Sequence, residues 1–84
     1  MKLLVITNGD GPETRAALET ADFLTEEGYE VERFDWETDE AATLAGLHDI
    51  YSQPAFIVVR DDGSQVDLWQ GEQMPLISEI KHLM

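Results

Sequence analysis

The spacing of apolar and polar residues along this chain predicts where its strands and helices lie. Short runs rich in leucine and β-branched residues predict strands at residues 2–7 and 55–59. The second run is apolar without a break, which is typical of a strand covered on both faces. Residues 29–35 and 65–70 alternate between polar and apolar side chains, as strands with only one buried face do. The pattern therefore predicts four strands.

Three other segments carry apolar residues at intervals of three and four, which predicts helices with one apolar face over residues 12–27, 39–47 and 73–83. The predicted apolar positions are Ala17, Ala21 and Leu24 in the first helix, Ala42, Leu44 and Ala45 in the second, and Leu76, Ile77, Ile80, Leu83 and Met84 in the third.

The ends of these helices have recognisable signals. Gly28 is expected to close the first helix in the left-handed conformation, and Thr38 and Asp39 are expected to cap the second. Pro75 is expected in the first turn of the third helix, where a missing N–H group costs nothing.

Residues 60–64 are predicted to form a turn between the last two strands, because they include Gly63, which can adopt a positive φ. The order is therefore βαβαββα within a single domain over residues 1–84. Two βα units followed by a hairpin and a helix can form one four-stranded mixed sheet with helices on both faces, provided that the first crossover is right-handed. An α/β class follows.

Several segments resemble proteins of the thioredoxin and glutaredoxin superfamily. The segment Asp49-Ile50-Tyr51-Ser52-Gln53-Pro54-Ala55-Phe56-Ile57-Val58-Val59 is similar to the stretch that leads through the family's cis-proline into its third strand. Asp62-Gly63 resembles the hairpin tip, and Gln70-Gly71-Glu72 resembles the glycine that ends the next strand. The resemblance implies a thioredoxin-like fold with a cis-proline at Pro54; a ferredoxin-like sandwich is the alternative, although it would need a further strand after a longer last helix.

The loop before the first helix departs from that family. Thioredoxins carry Cys-Gly-Pro-Cys there, whereas this chain has Asp10-Gly11-Pro12-Glu13 and no cysteine at all. Dithiol chemistry needs an acidic thiolate and a second, resolving thiol, and carboxylates supply neither. Dithiol oxidoreductase activity is therefore excluded.

The carboxylates of that loop have a structural interpretation and a functional one. Asp10 as N-cap with Glu13 three residues later has the spacing of a capping box. Alternatively, both are acceptors for a basic peptide or a cation. General acid–base catalysis ranks last, because no nucleophile or histidine lies nearby in sequence.

The remaining polar residues predict no catalytic residue, metal site or cofactor. His48 and His82 are isolated and are interpreted as helix-end or surface residues. The acidic run over residues 35–40 lacks the glycine and the terminal acid of an EF-hand loop. Trp36 and Trp69 are expected to be core or half-buried residues.

The net charge of the chain limits the classes of partner that it can bind. Eighteen acidic residues against five basic ones give a formal net charge of −13. This field repels phosphate backbones and anionic lipid, so we expect no binding to nucleic acid or membranes and favour a basic protein or extended peptide. A solubilising or salt-adapted surface, an acidic docking face and a mimic of DNA all remain open. We expect a cytoplasmic protein, because no window approaches eighteen apolar residues and the N-terminal apolar run is too short for a signal peptide. We also expect a monomer.

Two functions follow as hypotheses. The first is a non-catalytic, redox-inactive module that binds a peptide or protein in the groove that the resemblance implies, lined by Gly9, Asp10, Gly11, Pro12, Glu13, Gln53 and Pro54. The alternative is a cysteine-independent glutathione-binding or transferase-like domain that holds a thiolate with Thr7 or Thr14. Against the alternative, the acidic loop repels an anionic tripeptide, and Gly71-Glu72 stands where such domains carry Glu-Ser.

Overall fold

A computed structural model describes residues 1–72 and 74–84. Its elements are β1 (Lys2–Thr7), α1 (Pro12–Glu26), β2 (Val31–Asp35), α2 (Asp39–His48), β3 (Ala55–Val59), β4 (Gln65–Gln70) and α3 (Ile77–Leu83). The predicted order βαβαββα and the α/β class are confirmed. Among the described residues, no helix combines the length and apolar character needed to cross a membrane.

The four strands form one mixed sheet in the order β2-β1-β3-β4. β1 runs parallel to β2 and antiparallel to β3, and β3 pairs with β4 as the predicted antiparallel hairpin. Helices pack on both faces of the central strands β1 and β3, which explains their unbroken apolar runs. β2 and β4 are the edges of the sheet.

Alternate residues of the central strands enter two cores, one on each face of the sheet. Leu3, Val5, Phe56 and Val58 pack on the side of α1 and α3, together with Ala17, Ala21, Leu24 and Ile80. On the other side, Leu4, Ile6, Ala55, Ile57 and Val59 pack with Ala41 and Ile50. The predicted placement of helices on both faces is therefore confirmed.

The ends of α1 and α2 follow the predicted signals. Gly28 has a φ of 94°, and its N–H donates to the Thr25 carbonyl at 3.1 Å while the Tyr29 N–H donates to the Leu24 carbonyl at 3.0 Å. This bond pair is a Schellman motif, which satisfies carbonyls at the end of α1. At the start of α2, the Thr38 hydroxyl accepts a hydrogen bond from the Ala41 N–H at 3.2 Å.

The apolar face of α2 differs from the prediction at one position. Ala41 is buried with no exposure, whereas Ala42 is exposed. Leu44 and Ala45 are half-buried against the same core, as predicted. These positions follow Ala41 by three and four residues, so one stripe includes Ala41, and Ala42 lies about 100° away around the helix.

α3 starts later than predicted. It begins at Ile77, so Pro75 precedes the helix instead of lying in its first turn, and Leu76 is an exposed N-cap residue. The Glu79 carboxylate accepts a hydrogen bond from the Leu76 N–H at 2.8 Å, which holds Leu76 in the extended conformation before the first turn. Gln73, where the helix was predicted to begin, lies outside the described residues.

Candidate functional site

The loop between β1 and α1 is held by a buried hydroxyl rather than by its carboxylates. The Thr14 hydroxyl donates to the Asn8 carbonyl at 2.8 Å, and Thr14 is 6% exposed. Gly9 has a φ of 73°, which lets the chain turn from β1 towards the helix. This anchor sets the position of the loop relative to the first turn of α1.

The prediction that Asp10 caps α1 is wrong. Gly11 is the N-cap residue, with no side-chain cap, and Pro12 is the first helical residue. The fixed φ of proline suits the first helical position, and this shifts the cap one residue beyond Asp10. The predicted capping box between Asp10 and Glu13 is therefore absent within the described residues, and both carboxylates are exposed without a hydrogen bond to another described residue.

The segment before β3 contains one residue, Gln53, that makes no hydrogen bond within the described chain. The Gln53–Pro54 peptide bond is cis, and Pro54 is buried. The N–H groups of Tyr51 and Ser52 donate to the Gln70 side-chain oxygen at 2.9 and 3.2 Å. Half-buried Gln53, in contrast, makes no hydrogen bond to any residue that the structure describes. Its backbone N–H and C=O groups therefore have no hydrogen-bond partner among the described residues.

Gly71 joins this segment to the start of α1. Its N–H donates to the Pro54 carbonyl at 3.0 Å, and the turn that it begins lies against the first turn of α1. An open groove of about 460 Å³ results, which we call the helix-1 groove. It is lined by Pro12, Glu13, Ala16, Gly71, Glu72 and Met74.

The helix-1 groove contains part of the predicted site. Pro12 and Glu13 line it, and the Pro54 carbonyl accepts a hydrogen bond from the N–H of Gly71, another lining residue. The other predicted residues, Gly9, Asp10, Gly11 and Gln53, are not among the residues that line it. The sequence signal for Gly71 was its position at the end of a strand, but Ala16 and Met74 carried no signal, because only the order of the strands brings them together.

A second concavity of about 450 Å³ extends the surface along the end of β4. It shares Gly71 and Glu72 with the helix-1 groove and continues to Tyr51 and Trp69. The Tyr51 side chain is 81% exposed. Together the two concavities form one continuous track around the end of the sheet.

The track is acidic. Glu13 and Glu72 line it, and no lysine or arginine is among the described residues that do so. Elsewhere, Lys2 bonds to Glu32 at 2.8 Å and Arg33 to Asp22 at 2.8 Å. The hydrogen bond to Glu32 raises the pKa of Lys2 above its usual value. Lys2, Arg33 and Lys81 are thus bound to carboxylates away from the track.

None of the described residues that line the helix-1 groove carries a thiol, hydroxyl, imidazole or amine group. The sequence has no cysteine, and the only hydroxyl hydrogen of Thr14 is donated to Asn8. His48 bonds to Gln65 at 3.0 Å, and neither it nor His82 lines the helix-1 groove. Within residues 1–72 and 74–84, no cluster of three or more potential metal ligands is found.

Comparison with known proteins points to one fold. No family model matches the sequence, and no curated protein matches it. The crystal structure of the thioredoxin-like protein BC3987 is similar to the chain with a TM-score of 0.60 and 28% sequence identity. The match covers 99% of this chain and 100% of that one, so the similarity extends over all of the elements described above.

Proposed function

Since this chain is a thioredoxin-like protein that lacks the redox cysteines, we propose that it is a non-catalytic module that binds an extended, basic peptide or protein segment. The binding surface is the helix-1 groove together with the backbone of Gln53. We further propose that the protein works as a cytoplasmic monomer. The absence of thiols leaves the fold with a binding surface and no redox group.

The observation that carries the proposal is the unpaired backbone of Gln53. The residues before it are tied to Gln70, and the residue after it is tied to Gly71, so Gln53 is held in place from both sides. A donor and an acceptor that are fixed in position and lack partners in the described chain can pair with an extended peptide, as an added strand does. Less ordering entropy is lost on binding because the segment is already positioned.

Charge selects the partner. Glu13 lies in the first turn of α1, and Glu72 lines the same helix-1 groove. Both carboxylates are exposed, and the whole chain carries a net charge of −13. A lysine- or arginine-containing segment is therefore favoured in both the encounter and the complex, whereas an acidic segment is repelled.

The test selects ligands and then changes the groove. Random heptapeptides displayed on phage are selected on immobilised protein, and we expect the recovered sequences to be enriched in lysine and arginine. The dissociation constant of a recovered peptide is then measured by fluorescence anisotropy for wild type and for the double variant Glu13→Arg, Glu72→Arg. We expect about tenfold weaker binding or more, since each reversal replaces an attraction with a repulsion.

A matched variant separates the groove from the overall field. Glu19→Arg with Glu40→Arg makes the same change in net charge at two exposed helical positions that do not line the groove. We expect this control to weaken binding by no more than about twofold. Equal weakening by the two double variants, or recovered peptides without basic residues, would contradict the proposal.

A further inference from the structure

A separate groove of about 530 Å³ lies between β4 and α3, and we call it the β4–α3 groove. It shares Trp69 with the second concavity of the track, and none of its lining residues belongs to the helix-1 groove. It is lined by Asp67, Trp69, Ser78, Glu79, His82 and Leu83.

The register of the sheet explains how these side chains meet. Asp67 pairs with Val58 and Trp69 pairs with Phe56, and both partners belong to the core on the side of α1 and α3. Asp67 and Trp69 therefore point to the same face of the sheet as α3. β4 is an edge strand, and no other strand of the described chain pairs with its outer side.

Both carboxylates of the groove are held in place by backbone bonds. One oxygen of Asp67 accepts from the Leu68 N–H at 2.8 Å, and one oxygen of Glu79 accepts from the Leu76 N–H at 2.8 Å. Each carboxylate has a second oxygen for which no bond within the described chain is present. The groups are therefore oriented and still able to accept from a ligand.

No lysine or arginine side chain pairs with the carboxylates of the groove within the described residues. The lining includes the imidazole of His82 but neither a lysine nor an arginine. Lys81, the neighbour of His82, bonds to Glu27 and lies 5.2 Å from the centre of the Phe23 ring, both of which are outside the groove. The groove thus has two acidic groups beside a half-buried indole.

The outer edge of β4 favours an extended occupant. The Gly71 N–H donates to the Pro54 carbonyl, so it points towards β3. Because the backbone groups of successive residues point alternately to the two sides of a strand, those of Asp67 and Trp69 also face β3, and those of Leu68 and Gln70 face outwards. The carbonyl of Leu68 and both backbone groups of Gln70 therefore lie at an unpaired edge. A segment that runs along this edge places a side chain beside Trp69.

We propose that the β4–α3 groove binds the guanidinium or ammonium group of an arginine or lysine presented by an extended segment of a partner protein. The cation stacks on Trp69 and pairs with the carboxylates of Asp67 and Glu79. Arginine is preferred, because its planar group can stack and donate to two carboxylates at the same time. The assignment does not rest on the proposed function, since the residues of the two sites differ.

The probe is the blocked tripeptide Gly-Arg-Gly, with its citrulline analogue as an uncharged control of nearly the same shape. Trp36→Phe leaves Trp69 as the only tryptophan, so its indole N–H resonance reports binding directly. We expect a saturable shift with the arginine peptide and none with the citrulline peptide. Asp67→Asn and Glu79→Gln should each weaken binding about two- to fivefold, the size of an exposed ion pair.

Glu40→Gln is the matched control, because it removes one exposed charge from α2 on the opposite face of the sheet. It should leave the dissociation constant unchanged. The proposal is overturned if the citrulline peptide gives the same shift, or if Glu40→Gln weakens binding as much as Asp67→Asn. Absence of any shift overturns it too, and spermidine binding as tightly as the peptide would show a site for free cations instead.

Discussion

Replacing Gly71 by alanine combines two physical costs that can be measured separately. Gly71 has a φ of 71°, a conformation that costs a residue with a Cβ atom about 1–2 kcal/mol. An added Cβ would also lie 2.8 Å from the Ser52 hydroxyl oxygen, which is closer than real Cβ atoms approach. Moving that hydroxyl off its preferred rotamer costs about 0.5–1.5 kcal/mol.

The two costs sum to about 1.5–3.5 kcal/mol, so we expect a fall in the melting temperature on the order of 15 °C for a domain of this size. Thermal unfolding followed by circular dichroism measures it, and urea unfolding gives the free energy of unfolding directly.

Two controls separate the costs. Gly9 has a φ of 73°, and a Cβ added there meets nothing within 4 Å, so Gly9→Ala should lose only the backbone cost of about 1–2 kcal/mol. Ser52→Ala removes the hydroxyl, and Gly71→Ala in that background should therefore cost the same as Gly9→Ala. If Gly71→Ala and Gly9→Ala are equally destabilising in the wild-type background, Ser52 does not lie close to Gly71. The position given above for Gly71, a lining residue of the helix-1 groove, is then wrong.

Three further predictions concern charge, the helix-1 loop and pH. Raising monovalent salt from about 0.01 M to about 1 M should raise the melting temperature, because the screening length falls from about 30 Å to about 3 Å; a flat response would show that the acids are already neutralised. Asp10→Cys with Glu13→Cys should form an intramolecular disulfide and show weak dithiol reductase activity that the wild type lacks, and failure to pair under mild oxidation would contradict the thioredoxin-like turn. The raised pKa of Lys2 means that its bond to Glu32 stabilises the fold fully below its ordinary pKa of 10.5 and is lost as pH rises through the folded value. Urea midpoints of wild type and Lys2→Gln should therefore converge above about pH 10.5, whereas a constant gap would contradict this sign.

The central strands could be predicted from the sequence because burial on both faces requires an apolar side chain at every position. The apolar run Ala55–Val59 forms a strand that is buried at every position, as predicted. The hairpin was also predictable, because Gly63 has the positive φ that its turn requires.

Helix faces and helix starts were harder to predict for physical reasons. Ala41 and Ala42 are chemically identical, so composition cannot show which of them faces the sheet. The start of α3 depends on a hydrogen bond between Glu79 and the backbone of Leu76, and the apolar spacing continues through Leu76 without marking it. In α1, the position of Pro12 moved the cap from Asp10 to Gly11.

Only the part of the candidate site that lies within a single segment of the sequence could be predicted. Pro12 and Glu13 were identified because their loop replaces a recognisable motif. Met74 and Ala16 both line the helix-1 groove because of the order of the strands in the sheet, and a local sequence pattern does not encode that order. The single domain over residues 1–84, the monomer and the basic partner stay predictions.

The exchange rate of the Gln53 backbone N–H with solvent, measured by NMR with and without a selected basic heptapeptide, tests the central claim most directly. If the peptide pairs with this residue, exchange should slow on the order of 100-fold at a peptide concentration about 100 times the dissociation constant. The Tyr51 N–H, already bonded to Gln70 at 2.9 Å, serves as the internal reference. A peptide that binds fully while the Gln53 exchange rate stays unchanged would contradict the account.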